Sequence, residues 1–126
     1  MKILLVDDSK VMRNIQRKAL APLGNYAYYE AGDGREALEM VTREGPFDLM
    51  LVDWNMPNMN GLELITRVRT SDKTTPLMMV TTEAEKERVV EAIRAGASNY
   101  MIKPFTPEAL VDKVRQTLVK AGKIAA

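Results

Sequence analysis

The feature that most limits what this chain can become is an alternation, repeated along its length, of a short apolar run and a longer amphipathic segment. Ile3-Leu4-Leu5-Val6 is the first run. Four apolar residues in a row, with no polar member, suit a strand covered on both faces, as strands of a parallel sheet are. Behind it Val11, Ile15 and Ala19 recur at helical spacing and mark a helix that Pro22 and Gly24 stop. Tyr26 to Glu30 reads as a second strand. Asp33, with Glu36 three residues on, predicts a capped helix through Ala37, Leu38 and Val41, ended by Gly45-Pro46. Asp48 to Val52 is a third strand, followed by a helix from Gly61 to Arg69 with Leu62, Ile65 and Val68 inward. Leu77 to Val80 is a fourth strand, followed by a helix from Glu83 to Ala95 that Gly96 closes. Asn99 to Ile102 is the fifth. Thr106-Pro107-Glu108 then starts a last helix with an N-cap, a proline at the first helical position and an acid in the first turn. Leu110, Val114 and Leu118 form its apolar stripe.

Five strands alternating with five helices predict an α/β fold: a three-layer, doubly wound (βα)5 domain with a parallel five-stranded sheet covered on both faces. The 126 residues suit a single domain spanning 1–126 with no output domain beside it. Right-handed crossovers place every strand's carboxyl end on one edge, where such sheets bind their ligands.

Composition narrows the chemistry available at that edge. The chain has no cysteine and no histidine. Disulfides, thiolate metal sites, cysteine nucleophiles and an imidazole base are therefore excluded. Any metal must be held by oxygen, and any phosphoryl carrier must be a carboxylate or a hydroxyl. A net charge of +1 offers no nucleic-acid footprint. The apolar runs are too short to span a bilayer, and the N-terminus lacks a signal-peptide pattern, so a cytoplasmic location without membrane insertion is expected.

The residues just after each strand then stand out. Asp7 and Asp8 follow the first, Asp53 the third, Thr81 and Thr82 the fourth, and Lys103 ends the fifth. Each has an ordinary reading. The aspartate pair is often a helix cap, Asp53 fits the start of a turn through Asn55, Pro57 and Gly61, Thr81 suits a cap, and lysine is usually solvated. Together they are less ordinary: three carboxylates, a hydroxyl and an ammonium converge on one crevice. Carboxylates brought this close repel unless a proton or a cation joins them, and with oxygen ligands alone Mg²⁺ (or Mn²⁺) is the natural guest. Asp53 can attack phosphorus, Lys103 can offset charge on the phosphoryl oxygens, and Thr81 can donate to one of them.

These residues resemble the receiver domains of two-component response regulators. The resemblance covers essentially the whole chain. It rests on Val6-Asp7-Asp8, on the run from Asp53 through Trp54, Asn55, Met56, Pro57, Asn58, Met59, Asn60, Gly61, Leu62 and Glu63 to Leu64, and on Val80-Thr81, Gly96-Ala97 and Lys103-Pro104-Phe105. The Asp53 segment looks most like that of the family's chemotaxis members. The resemblance implies a flavodoxin-like strand order of 2-1-3-4-5, which is taken from it and not read from the residues. It further implies phosphorylation at Asp53 by a histidine kinase. Asp8, Asp53 and the backbone carbonyl of Asn55 would hold Mg²⁺, with Asp7 assisting through water. Thr81 and Lys103 would hold the phosphoryl group, Asn55 and Glu83 would flank the path of hydrolytic water, and the Lys103-Pro104 bond would be cis. Any catalysis is confined to the chain's own phosphorylation and dephosphorylation.

Output is expected by contact with another protein. Lys86, Val89 and Ile93 on the fourth helix, with Tyr100 and Ile102 on the fifth strand, form the candidate partner face, and Thr81 and Tyr100 are the expected switch pair. A monomeric switch that binds a flagellar motor component is one reading. A phosphorelay intermediate that passes phosphate from Asp53 to a histidine phosphotransfer protein is the alternative. Three positions depart from the chemotaxis pattern: Thr82, which is expected to crowd the inward position of Tyr100, Asn60 and Glu85. Other uses of the fold fit less well. A flavodoxin needs a hydroxyl-rich loop where Asp7 and Asp8 stand, and haloacid dehalogenase-type phosphatases space their aspartates differently.

Overall fold

A computed structural model describes all residues, 1–126. The elements follow in strict alternation: β1 Lys2–Val6, α1 Lys10–Leu20, a 3-10 turn at Ala21–Leu23, β2 Ala27–Ala31, α2 Gly34–Glu44, β3 Leu49–Val52, α3 Gly61–Val68, β4 Leu77–Thr81, α4 Lys86–Ala95, β5 Asn99–Ile102 and α5 Pro107–Lys120. All four strand pairings are parallel, and the order is β2-β1-β3-β4-β5. The predicted doubly wound α/β fold and its strand order are thus present. No helix is long and apolar enough to cross a membrane.

Side-chain alternation along the strands divides the core between the two faces of the sheet. Leu4, Val6, Met50, Val52, Leu77, Met79 and Tyr100 face α2, α3 and α4, against Ala37, Leu64, Ile65, Val68 and Ala92. Ile3, Leu5, Leu49, Leu51, Met78, Val80 and Met101 face α1 and α5, against Ala19, Leu20, Leu110, Val114 and Leu118. The register carries this division across the sheet, pairing Ile3 with Leu49 and Leu4 with Met50. Burial of each Val, Leu, Ile or Met side chain among these contributes about 1.5–3 kcal/mol. The central strands are therefore fixed, and the residues at their carboxyl ends are fixed with them.

Several boundaries differ from the sequence reading, each for a local reason. β2 starts at Ala27 and β3 at Leu49. Asp48 stays outside the strand as a clasp, its carboxylate accepting from the Lys2 amide at 2.8 Å and the Lys123 ammonium at 3.1 Å. α3 stops at Val68, because Arg69 turns away to donate to the carbonyls of Gly96, Asp72 and Thr75. α4 starts three residues later than expected, at Lys86. The helix marked by Val11, Ile15 and Ala19 is present, but of that stripe only Ala19 is buried. Val11 is 68% exposed and Ile15 42%, while Gln16, Ala19 and Leu20 are covered. Stripes one residue apart on a helix lie about 100° apart, so the spacing marks the helix without choosing its inward face.

α4 ends as the sequence indicates. Gly96 takes φ 119°, a left-handed conformation that suits glycine, and its amide returns to the carbonyls of Ala92 and Ile93. Two X-Pro bonds are cis, Gly45-Pro46 and the expected Lys103-Pro104.

Candidate functional site

The parallel pairing delivers the polar strand ends to one edge. Asp7 follows β1, Asp53 follows β3, Thr81 closes β4 and Lys103 follows β5. Backbone bonds continue the sheet just past its last residues. Asp7 N donates to Ala31 O at 3.1 Å, Asp53 N to Val6 O at 2.9 Å and Lys103 N to Thr81 O at 2.8 Å. These side chains are therefore presented by sheet and not by free loop.

Carboxylate oxygens of Asp7, Asp8 and Asp53 lie within 4.8 Å of one another. Asp7 and Asp53 are buried, and Asp8 is exposed at the mouth. The Lys103 ammonium reaches in from the edge strand, 2.7 Å from Asp7 Oδ2 and 3.2 Å from Asp53 Oδ2. Burial pushes the Asp53 carboxyl above its ordinary value. Asp7 adds to that rise, and Lys103 opposes it. Burial alone would lower the Lys103 ammonium, but its bonds and charge contacts with Asp7 and Asp53 outweigh burial and hold it above its ordinary value. Three carboxylates facing one ammonium leave the pocket negative. Like charges about 4 Å apart interact by about 4 kcal/mol at an effective dielectric of about 20. A hard divalent cation fits such an all-oxygen set, with one open acid at the mouth.

The other expected residues lie around this pocket. Thr81 is fully buried, and its hydroxyl accepts from Glu83 N at 3.3 Å, which forms a turn and does not cap α4. Asn55 and Glu83 meet across the mouth, with Asn55 Nδ2 donating to Glu83 Oε1 at 3.3 Å. Tyr100 already lies inward at 9% exposure, its hydroxyl donating to Glu83 O at 2.6 Å. Thr82 points to solvent, so it does not crowd that position as expected. The fourth-helix residues do not share one environment. Lys86 is exposed, Val89 is half-buried against the core and Ile93 is 46% exposed. Ile102 on β5 is 38% exposed.

Other neighbours of the site escape sequence reasoning. Arg13 donates to the Asp7 carbonyl at 2.5 Å and pairs with Glu30 at 2.8 Å, where Arg17 joins at 2.7 Å. Only the four-residue spacing of the two arginines hinted at a shared acidic partner. The Trp54 amide donates to Asp53 Oδ1 at 2.7 Å, and Arg88 lies over the Trp54 ring with Cζ 5.4 Å from its centroid. Nothing in the spacing of Trp54 and Arg88 announces that contact.

Comparison with known proteins agrees with this geometry. A family model described as the response regulator receiver domain matches residues 3–115. A chemotaxis protein CheY homolog of Campylobacter jejuni is 45% identical over 120 residues, 94% of this chain and 92% of that protein. The chemotaxis protein CheY of Pseudomonas aeruginosa is 43% identical over 118 residues, 92% of this chain and 94% of its own. Among solved structures, a CheY-like response regulator receiver domain protein from Methanospirillum hungatei superposes with a TM-score of 0.88 at 31% identity, covering 97% of this chain and 96% of that one. The chemotaxis response regulator CheY4 of Vibrio cholerae superposes with a TM-score of 0.84 at 38% identity, covering 92% and 97%. An acidic pocket at the carboxyl edge of a 2-1-3-4-5 sheet and relatives that carry the same fold along nearly their whole length lead to one assignment: the chain belongs to the response regulator receiver domains, as a CheY-like member.

Proposed function

We infer that this chain acts as a phosphorylation switch in chemotaxis or motility control, with Asp53 as the phosphoryl acceptor. The observation that carries the reading is the buried Asp53 carboxylate held among Asp7, Asp8 and the Lys103 ammonium. An Asp53 oxygen attacks phosphorus of a phosphohistidine on the kinase. The new O–P bond forms as the N–P bond breaks, and the imidazole departs with that electron pair and takes up a proton. Lys103 is placed to offset charge on the phosphoryl oxygens. Asp8 and Asp53, with the Asn55 carbonyl and with Asp7 through water, would hold Mg²⁺, which when bound neutralises charge as the phosphoryl group arrives. Hydrolysis reverses the modification. Water attacks the acyl phosphate and the carboxylate leaves, and the Asn55–Glu83 pair stands at the entrance for that water.

Output runs through the α4–β5–α5 face. Ile93 and Ile102 expose apolar surface there, and Tyr100 joins β5 to the loop before α4 through Glu83. A flagellar motor component is the fitting partner, because the named relatives are chemotaxis proteins. The same relatives favour this switch over a phosphorelay role.

The test uses acetyl phosphate with Mg²⁺. The parent should gain one phosphoryl group by intact mass, and Asp53→Asn should gain none. Equal labelling of the Asn variant overturns the assignment. Trp54, nearly buried at 5% exposure and hydrogen-bonded to Asp53, should report Mg²⁺ by a saturable change in emission that Asp8→Ala lacks.

A further inference from the structure

Arg88 is the third residue of α4, a place where its charge is out of keeping with the helix. The first turn of a helix carries positive partial charge, so a cation there is unfavourable. Lys86 in the same turn adds to this, and Glu87 between them offsets part of it. The residue before the helix, Glu85, gives no side-chain cap. The pairing of Arg88 with Glu91 at 3.1 Å is half exposed, and such pairs contribute little. The explanation for Arg88 therefore lies off its own helix. Its guanidinium rests on the face of Trp54, within the range of a cation–π contact.

Trp54 is also the residue whose amide donates to Asp53 Oδ1 at 2.7 Å. With its backbone it holds the nucleophile, and with its ring it holds a cation on α4. Resting on the reading of Asp53 as phosphoryl acceptor, we propose that Arg88 is a positioning residue that carries the state of Asp53 to the first turn of α4 through Trp54. This route is separate from the one through Thr81 and Tyr100. When Asp53 becomes an acyl phosphate, Oδ1 loses its formal charge, and the bond from the Trp54 amide changes from charge-assisted to neutral. A dianionic group appears beside Trp54 at the same moment. Both changes act on the indole and on the guanidinium over it. α4 feels them because no side-chain cap otherwise fixes its start.

The experiment compares the parent, Arg88→Ala and Arg88→Lys. Each is measured free and after acetyl phosphate with Mg²⁺, by hydrogen exchange of the α4 amides and by intact mass for the fraction phosphorylated. Arg88 is about half exposed, so all three should fold, and circular dichroism checks this. In the parent, phosphorylation should change exchange over residues 86–92. Arg88→Ala should cut that change several-fold while reaching the same phosphorylated fraction, and Arg88→Lys should keep part of it. A shifted baseline in Arg88→Ala with an undiminished phosphorylation-linked change reduces Arg88 to a structural residue and overturns the proposal. So does a parent that labels but shows no change in α4. If the parent fails to label at all, the reading of Asp53 falls first and the proposal falls with it, so the two failures are distinguishable.

Discussion

The loop after β3 and the loop after β4 leave neighbouring strands on the same edge of the sheet, the first beginning at Asp53 and the second just past Thr81. In the first, every turn is pinned. Gly61 N donates to Trp54 O at 2.8 Å, the Asn60 side chain caps α3 by accepting from Glu63 N at 2.9 Å, and Met59 O accepts from Gly34 N at 3.1 Å. Asn58 donates to Asp33 Oδ2 at 2.7 Å, which ties the loop to α2. The second loop is held by the 3.3 Å bond from Glu83 N to Thr81 Oγ1, the Tyr100 hydroxyl and the 3.3 Å bond from Asn55 to the Glu83 side chain, and it enters α4 with no side-chain cap. The other four helices all have one, from Ser9, Asp33, Asn60 and Thr106. A nucleophile needs a loop that holds its carboxylate still, whereas a signal needs an element that a small change nearby can shift. The contrast assigns those two duties to the two loops.

Gly61→Ala attacks the pinned loop most directly. A Cβ at this position would run into the Asp53 carbonyl oxygen, a backbone atom that cannot step aside as the end of a flexible side chain can. A loss of about 3 kcal/mol or more is expected in urea denaturation, in the range reserved for severe overpacking. Phosphorylation of Asp53 should slow as well, because the displaced atom belongs to the nucleophile's own residue. A loss under about 1 kcal/mol would mean this loop yields as readily as the other, and the comparison would break.

The caps offer a finer test. Asn60→Ala should cost about 1 kcal/mol, the usual loss of a side-chain cap, and Glu85→Ala should cost close to nothing. Glu85→Ser supplies α4 with the cap it lacks. It should gain a few tenths to about 1 kcal/mol and should shrink the response of α4 to phosphorylation. Equal losses from Asn60→Ala and Glu85→Ala would erase the difference between the loops.

The same contrast explains what was legible in the sequence. α2 and α5 start where their capping signals stand, at Asp33 and at Thr106-Pro107, because a cap is a local interaction written within four residues. For α4 the sequence points three residues early, to Glu83, because no cap marks its start and apolar spacing alone does not fix a boundary. The pocket was legible for a different reason. Asp7, Asp53, Thr81 and Lys103 each follow an apolar run, and parallel topology makes "after a strand" equivalent to "at the shared edge". Arg13 beneath Asp7 and Arg88 over Trp54 were not legible. Their contacts depend on how far and at what angle a helix lies across the sheet, which spacing does not encode. Val11 and Ile15 show the same limit, since their period was visible and their direction was not.

The smallest effect concerns acid and the tie between the pinned loop and α2. The Asp33 carboxyl is held below its ordinary value, chiefly by the Glu36 amide and next by the Asn58 side chain, with burial pulling weakly the other way. A carboxyl whose folded value lies below its unfolded value of about 3.9 stabilises the fold above that value, and this contribution is lost as pH falls through the folded one. Asp33→Asn keeps a competent cap without the charge. Melting temperatures from about pH 7 down to about pH 3 should therefore show the parent ahead by a small margin at neutral pH, with the margin closing as the solution is acidified. Asp48 and Asp72 are also held low, but they titrate alike in both proteins and cancel in the difference. A margin that stays constant or widens in acid would show that the Asp33 charge does not hold the pinned loop to α2, leaving that tie to the backbone bond from Gly34 N to Met59 O.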